Sequence, residues 1–322
     1  MISDFSRGSG KMFEKKRTEI DGESVIEVTG LGYYDLYDTF ECGQAFRYEL
    51  LRKEPDYVEY MTVVGDKIIR VGQKRRGQLI FFELSDEEFE RIAVPYFALD
   101  TDYEEIRRDI LERCDSAWLA SAAESAKGVV ILKQDPWEAL FSFIVSQNNN
   151  IPRIRKIIRK ICSEYGENLA ERKGKCPLDS SPVSEKCKEC GKCYKFPTPE
   201  EIVCEPEKLL SSNPGFRYRY LCDAAERVSD KRTNLEMIGA ARSYTHTVEC
   251  LKEIVGVGDK VASCVALFGF ANLEAFPIDV WMKRAIDTYF EGKLDPATLG
   301  RYAGVAQQYI FHYIRNLESK TT

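Results

Sequence analysis

No run of eighteen or more apolar residues occurs in this 322-residue chain, which argues against a membrane-spanning helix. The N-terminus carries no apolar stretch followed by a cleavage site, so secretion is not expected. A cytoplasmic or nucleoid location is expected for a prokaryotic source, and a nuclear one for a eukaryotic source. A surplus of positive charge is also missing: 46 Lys and Arg stand against 52 Asp and Glu, a net charge of −6. That balance runs against a nucleic-acid reading, because phosphate contacts need lysine and arginine. Eleven cysteines without a secretory segment point to reduced thiols or metal ligation rather than a disulfide framework. No internal repeat stands out.

What the chain does have is core material, 44% hydrophobic residues against 30% charged. Its length suits one large domain or two to three small ones. Charge is unevenly placed. Arg153, Arg155, Lys156, Arg159 and Lys160 form a basic run, with a second focus at Arg217 and Arg219. Acids collect at Asp86 to Glu90 and at Asp100 to Glu105. A local basic face on an acidic protein is compatible with DNA, and so is a plain solvated helix face.

Residues 1–23 mix Gly, Ser, Lys and Glu and read as a flexible tail. From 24 to 84, β-branched and aromatic runs at Tyr57–Val64, Lys67–Val71 and Gln78–Leu84 are divided by Gly and Asp, as antiparallel hairpins are. Ser85 with Glu88 has capping-box spacing, and a further helix is expected over 103–125. Beyond 128 the texture is helical. Asp135-Pro136-Trp137-Glu138 and Thr198-Pro199-Glu200-Glu201 are helix starts, the first leading into an apolar run that marks a buried helix. The expected plan is α+β: a sheet domain at 24–128, then a mainly helical region at 129–322.

Gly256-Val257-Gly258-Asp259-Lys260 reads as a helix, a tight glycine turn and a new helix with a lysine in its first turn, the hairpin spanning about 246–268. Gly256 and Gly258 permit positive φ, so adjacent N–H groups can point at a phosphate. Asp279 follows Pro277-Ile278 where another helix should begin, as an N-cap that favours the ionised carboxylate. A turn of N–H groups beside a lysine and a carboxylate can grip a phosphate and attack a sugar carbon. The helix dipole disfavours an ammonium at Lys260, which an amine nucleophile requires.

Five motifs in order carry a resemblance. They are Cys42-Gly43-Gln44-Ala45-Phe46-Arg47, Gln147-Asn148-Asn149-Asn150-Ile151, Gly215-Phe216-Arg217, the hairpin with Asp279, and Gly304-Val305-Ala306-Gln307 through Phe311. From 24 to 315 the chain resembles the 8-oxoguanine DNA glycosylase/AP lyase family of the helix-hairpin-helix superfamily. The resemblance implies a TBP-like N-terminal antiparallel sheet, a helix-hairpin-helix glycosylase region, and a monomer acting on duplex DNA that contains 8-oxoguanine, with no membrane partner. It implies that Lys260 attacks the anomeric carbon and forms a Schiff base, with Asp279 stabilising the sugar cation. The Gly43 carbonyl would read the extra ring N–H of the lesion, Cys264 and Phe311 would sandwich the base, and Gln307 would contact its Watson–Crick edge. Asn148 would fill the vacated space, Phe216 would wedge beside the orphaned cytosine, and Arg153 and Arg217 would hydrogen-bond it. Gly256 and Gly258 would hold the backbone. Two other readings remain: a same-fold glycosylase for another damaged purine, and a non-catalytic DNA-binding hairpin protein.

The chain departs from the family at Phe216, where many relatives have Tyr, at Trp281, where eukaryotic relatives have a phosphate-contacting His, and at Ser263, where Asp is common. No cofactor is expected for catalysis. Cys176, Cys187, Cys190 and Cys193 lie in a hydrophilic insertion at about 172–195, a spacing that suits structural zinc. An iron–sulfur centre and unligated thiols stay open as alternatives.

Overall fold

The computed structural model describes residues 13–319 apart from 175, 177 and 179–189. Residues 1–12 and Cys187 therefore lie outside the described residues. Six antiparallel strands form one sheet in the order β1-β2-β6-β5-β4-β3. They are β1 Glu14–Ile20, β2 Glu23–Thr29, β3 Tyr48–Glu54, β4 Tyr57–Val64, β5 Lys67–Gln73 and β6 Gln78–Phe82. Two-residue turns, Asp21-Gly22 and Gly65-Asp66, close the β1–β2 and β4–β5 hairpins, as the registers Ile20↔Glu23 and Val64↔Lys67 require.

The tail expected through residue 23 is corrected here, since Glu14–Ile20 pairs along its whole length with β2. Its side chains are largely exposed and charged, as suits an edge strand, so no apolar alternation marked it.

Side chains alternate between the two faces with the period of two that strands impose. Ile26, Val28, Ile69, Val71, Leu79 and Phe81 bury the inner face against Phe40, Phe89 and Phe97. On the outer face, Met61, Val63 and Ile68 pack on Leu169, Ala170 and Cys193, so part of the Cys-rich insertion lies against the sheet.

The principal helices are α1 Leu36–Glu41, α2 Tyr103–Arg113, α3 Ala117–Ser125, α4 Pro136–Ser146, α5 Ile151–Tyr165, α6 Tyr218–Ser229, α7 Tyr244–Lys252, α8 Asp259–Phe268, α9 Val280–Tyr289 and α10 Ala303–Ser319. The single helix expected over 103–125 is two. Cys114 and Ser116 are extended, and the Ser116 hydroxyl accepts from the Leu119 N–H to start α3. Helix α4 is buried on nearly every side, as its apolar sequence predicts. Capping boxes at Ser85/Glu88 and Thr198/Glu201 form as spaced. The sheet and helical cores meet through the 128–134 segment, where Val130 and Leu132 face the sheet core and Val129 and Ile131 the helical one.

Candidate active site and DNA-facing surface

Between α7 and α8 the chain turns at Gly256, whose φ is +83°. A Cβ there would stand 2.4 Å from the Tyr220 ring, so both backbone and space demand glycine. Gly258 behaves otherwise. It is the extended N-cap of α8, with φ −99° and no side-chain cap hydrogen bond, and a Cβ there meets nothing within 4 Å. The expectation of positive φ at both glycines is corrected to Gly256 alone. With no capping side chain, the first N–H groups of α8 are left for an outside acceptor.

In the first turn of α8, Lys260 is half-buried with its Nζ 5.5 Å from the Phe143 ring centroid. Its i+4 neighbour on the same face of α8 is Cys264. Burial raises the Cys264 thiol above the ordinary range; the Lys260 charge opposes this and the Asp279 charge adds to it. Lysine, thiol and carboxylate thus lie within electrostatic reach of one another. Asp279 caps α9, its Oδ1 accepting from the Met282 N–H at 2.9 Å, as its position after Pro277-Ile278 predicts.

Lys260, Cys264 and Asp279 share a narrow cleft with Gly43, Gln307 and Phe311, so the residues expected at the catalytic and lesion sites converge. The cleft has a volume of about 60 Å³, enough for a few waters. Lys260 also lines an outer recess of about 700 Å³ beside Tyr244, Ser263 and Ile278. Among the described residues it is the one that lines both.

The Gly43 loop is fixed by its neighbours. Buried Gln44 donates to the Thr39 and Val130 carbonyls and accepts from the Leu132 N–H, all at 2.8 Å. Arg47 pairs with Glu138 at 2.7 Å and also donates to the Tyr194 carbonyl. Gly43 has φ +84°, and a Cβ there would find its nearest atoms at 3.5 Å, so left-handed backbone rather than crowding calls for glycine. Adjacent Cys42 is buried, which pushes its thiol up to about 12.

The asparagine loop is held from an unforeseen direction. Arg217 is 3% exposed, and it donates to the carbonyls of Gln147, Asn148 and Pro214. In this structure the main chain takes these donors, which ties Arg217 to the asparagine loop. Burial, and next the charge of Arg153, draw the Arg217 guanidinium below the usual range. Asn148 itself is left-handed, with φ +46°. Phe216 is 51% exposed, with the Arg217 guanidinium 4.5 Å from its ring centroid.

The basic run divides in two. Arg155, Arg159 and, from the insertion, Lys192 converge on Glu49, while Lys160 pairs with Glu164. Arg153 and Lys156 are exposed. Of the two departures on the hairpin side, Ser263 hydrogen-bonds the Tyr244 hydroxyl at 3.0 Å and ties α7 to α8, and Trp281 lies under the Arg284 guanidinium at 5.3 Å.

Of the four spaced cysteines, Cys176 and Cys193 are buried and Cys190 is half-buried. Among the described residues no group of three His, Cys, Asp or Glu is placed to hold a metal ion. Nor is any described helix long and apolar enough to cross a membrane. Residues that sequence reasoning missed are Phe143, read only as buried core, and Gln308, whose place three before Phe311 puts both on one face of α10 and could have exposed it.

Comparison with known proteins bears on this geometry. The family profile described as 8-oxoguanine DNA glycosylase, N-terminal domain, matches residues 30–140. The N-glycosylase/DNA lyase of Saccharomyces cerevisiae is 28% identical over 276 residues, which cover 77% of this chain and 66% of that protein's length. The solved structure of MBOgg1 in complex with a low-affinity DNA ligand superposes with a TM-score of 0.78 at 32% identity, over 95% of this chain and 99% of that one. The Clostridium acetobutylicum 8-oxoguanine glycosylase/lyase, in complex with duplex DNA carrying cytosine opposite 8-oxoguanine, gives 0.77 at 30% identity, over 95% and 98%. The chain belongs to the 8-oxoguanine DNA glycosylase/lyase family.

Proposed function

We propose that this protein is a bifunctional base-excision repair enzyme: it extrudes 8-oxoguanine from duplex DNA, with a preference for cytosine opposite, excises it, and cleaves the strand. The observation that carries the reading is the position of Lys260, which lines both the narrow cleft and the broad outer recess. A flipped nucleotide has its base in a pocket and its backbone outside. The sugar carbon joining the two then falls at the boundary, where the amine is.

The Lys260 amine attacks that carbon, the C1′–N bond breaks, and the base departs with a proton delivered to it. The ring opens to an iminium; loss of a C2′ proton then expels the 3′ phosphate, which cleaves the strand. Asp279 serves the developing positive charge on the sugar and the proton movements. Gly43, Cys264, Gln307 and Phe311 hold the lesion. Gly256, Gly258 and the opening turn of α8 take a backbone phosphate, a grip that positions without reading sequence. On the opposite side, Asn148 fills the gap, Phe216 wedges, and Arg153 and Arg217 face the cytosine. A structural zinc on Cys176, Cys187, Cys190 and Cys193 would order the insertion once those thiols are gathered about it, and metal analysis of the purified chain is its check.

Borohydride trapping on an 8-oxoguanine:cytosine duplex tests the enzymatic reading. A covalent adduct is expected with the natural chain and none with Lys260→Gln, while Lys260→Gln still binds DNA. An adduct that persists in Lys260→Gln overturns the assignment of the nucleophile. No adduct in either leaves a DNA-binding hairpin protein, and excision of alkylated purines in preference to 8-oxoguanine moves the activity to another lesion.

A further inference from the structure

On α10, Gln307, Phe311 and Arg315 stand four positions apart and form one row along the helix, about 6 Å from each to the next. Exposure grows along it: Gln307 is 4% exposed, whereas Phe311 and Arg315 are half-buried. The row therefore runs from the inner end of the narrow cleft to its rim. At that rim Arg315 adjoins two of the residues that line the cleft, Phe311 and Gly43. Its guanidinium lies 5.4 Å from the Phe311 ring centroid. A Cβ at Gly43 would find the Arg315 Nη1 and the Ile151 Cδ1 at 3.5 Å and the Phe311 Cε1 at 3.8 Å. The charge is felt one residue further along the loop: burial pushes the Cys42 thiol up, and Arg315 is among the groups that oppose it. Among the described residues Arg315 forms no ion pair or hydrogen bond, so its donors stand uncommitted beside the Gly43 loop.

We propose that Arg315 is a specificity-determining residue, its guanidinium donating a hydrogen bond to the C8 oxygen of the extruded, oxidised ring. The inference rests on the proposed reading of the cleft as the lesion pocket and deepens it. In that reading Gln307 takes the Watson–Crick edge, Phe311 stacks on the rings and the Gly43 carbonyl takes the N7 hydrogen. C8 adjoins N7 at the end of the purine away from the Watson–Crick edge. Its oxygen therefore emerges beside Gly43 on the rim side, which is where Arg315 waits. Oxidation adds both the N7 hydrogen and the C8 oxygen, a donor next to an acceptor. A main-chain acceptor with an arginine donor beside it complements that pair. Sound guanine carries a C–H at C8 and gives the guanidinium nothing to hold. A charged donor makes the stronger kind of hydrogen bond, and a site built around one rejects the analogue that lacks it.

The test uses the full chain and two duplexes with cytosine opposite the site, one carrying 8-oxoguanine and the other an abasic sugar. Single-turnover excision and cleavage are measured for the natural chain, Arg315→Met and Arg315→Lys, with melting temperatures recorded. In Arg315→Met, 8-oxoguanine excision should fall about tenfold to a hundredfold, the loss of one charged hydrogen bond, while abasic-site cleavage stays within about twofold. Arg315→Lys should recover much of the loss, because one ammonium N–H suffices for a single oxygen. Equal losses on the two duplexes would assign Arg315 to a DNA phosphate and overturn the proposal. Equal losses in the lysine and methionine variants also overturn it, since both keep a stem that packs on Phe311. So does undiminished 8-oxoguanine excision in both variants. A natural chain that excises no 8-oxoguanine brings down the functional reading and this inference with it.

Discussion

Removing the Arg217 side chain should loosen the asparagine loop before it alters any contact with DNA. Arg217→Ala deletes donors at 2.9 Å to Gln147, 3.0 Å to Asn148 and 3.1 Å to Pro214, all main-chain carbonyls. Each buried carbonyl left without a donor costs roughly 1–3 kcal/mol, less where water can enter from the surface. Asn148 also sits in left-handed backbone, at φ +46°, an arrangement that costs roughly 1–2 kcal/mol and persists only while its surroundings enforce it. The expected loss is about 3 kcal/mol of unfolding free energy, or a fall of roughly 6 °C in Tm. Lysine should restore little, because a single ammonium cannot reach several carbonyls with the fixed fork of a guanidinium. Urea titration measures the first quantity. Excision of 8-oxoguanine opposite each of the four bases measures the consequence, and a displaced Asn148 should slow all four by similar factors. An Arg217→Ala chain as stable as the natural one, losing only its preference for cytosine, would refute the clamp and return Arg217 to base reading alone.

Gly256→Ala should destabilise by about 2–4 kcal/mol and abolish DNA binding, since the new Cβ meets the Tyr220 ring at 2.4 Å on a backbone with φ +83°. Gly258→Ala, with nothing within 4 Å of its Cβ, should stay within ~1 kcal/mol, and equal effects at the two positions count against the hairpin geometry. Asp279→Asn retains an acceptor for the Met282 N–H, so its Tm should hold while single-turnover excision falls about 100-fold or more. Asp279→Ala should lose the same rate and, in addition, about 1 kcal/mol of stability; an Asn variant of near-natural rate would leave Asp279 a cap only.

Much of this arrangement was legible because short-range chemistry and long-range placement agree. Asp135, Ser85 and Thr198 cap helices for reasons contained within four residues, and β4 to β6 alternate with turn residues between them. Lys260 and Asp279 were found because each opens a helix after a recognisable start. What escaped reading was whatever depends on a distant partner. Edge strand β1 is charged because it faces water, so its only signal was Asp21-Gly22. Arg155 and Arg159 belong to a basic run in sequence, yet the fold brings Glu49 of β3 against them. The Arg217 donors reach the carbonyls of a loop 70 positions away. Such pairings leave no local periodicity.

The tightness of the inner cleft, about 60 Å³, has a consequence for how damage is sorted. A resting cleft with so little room offers no ready-made berth, so a purine ring that enters has to widen it. That toll is the same for sound and oxidised bases, and only a ring that finds matching partners inside can recoup it. The rest are handed back to the double helix untouched, and discrimination begins at the doorway, ahead of any bond breaking.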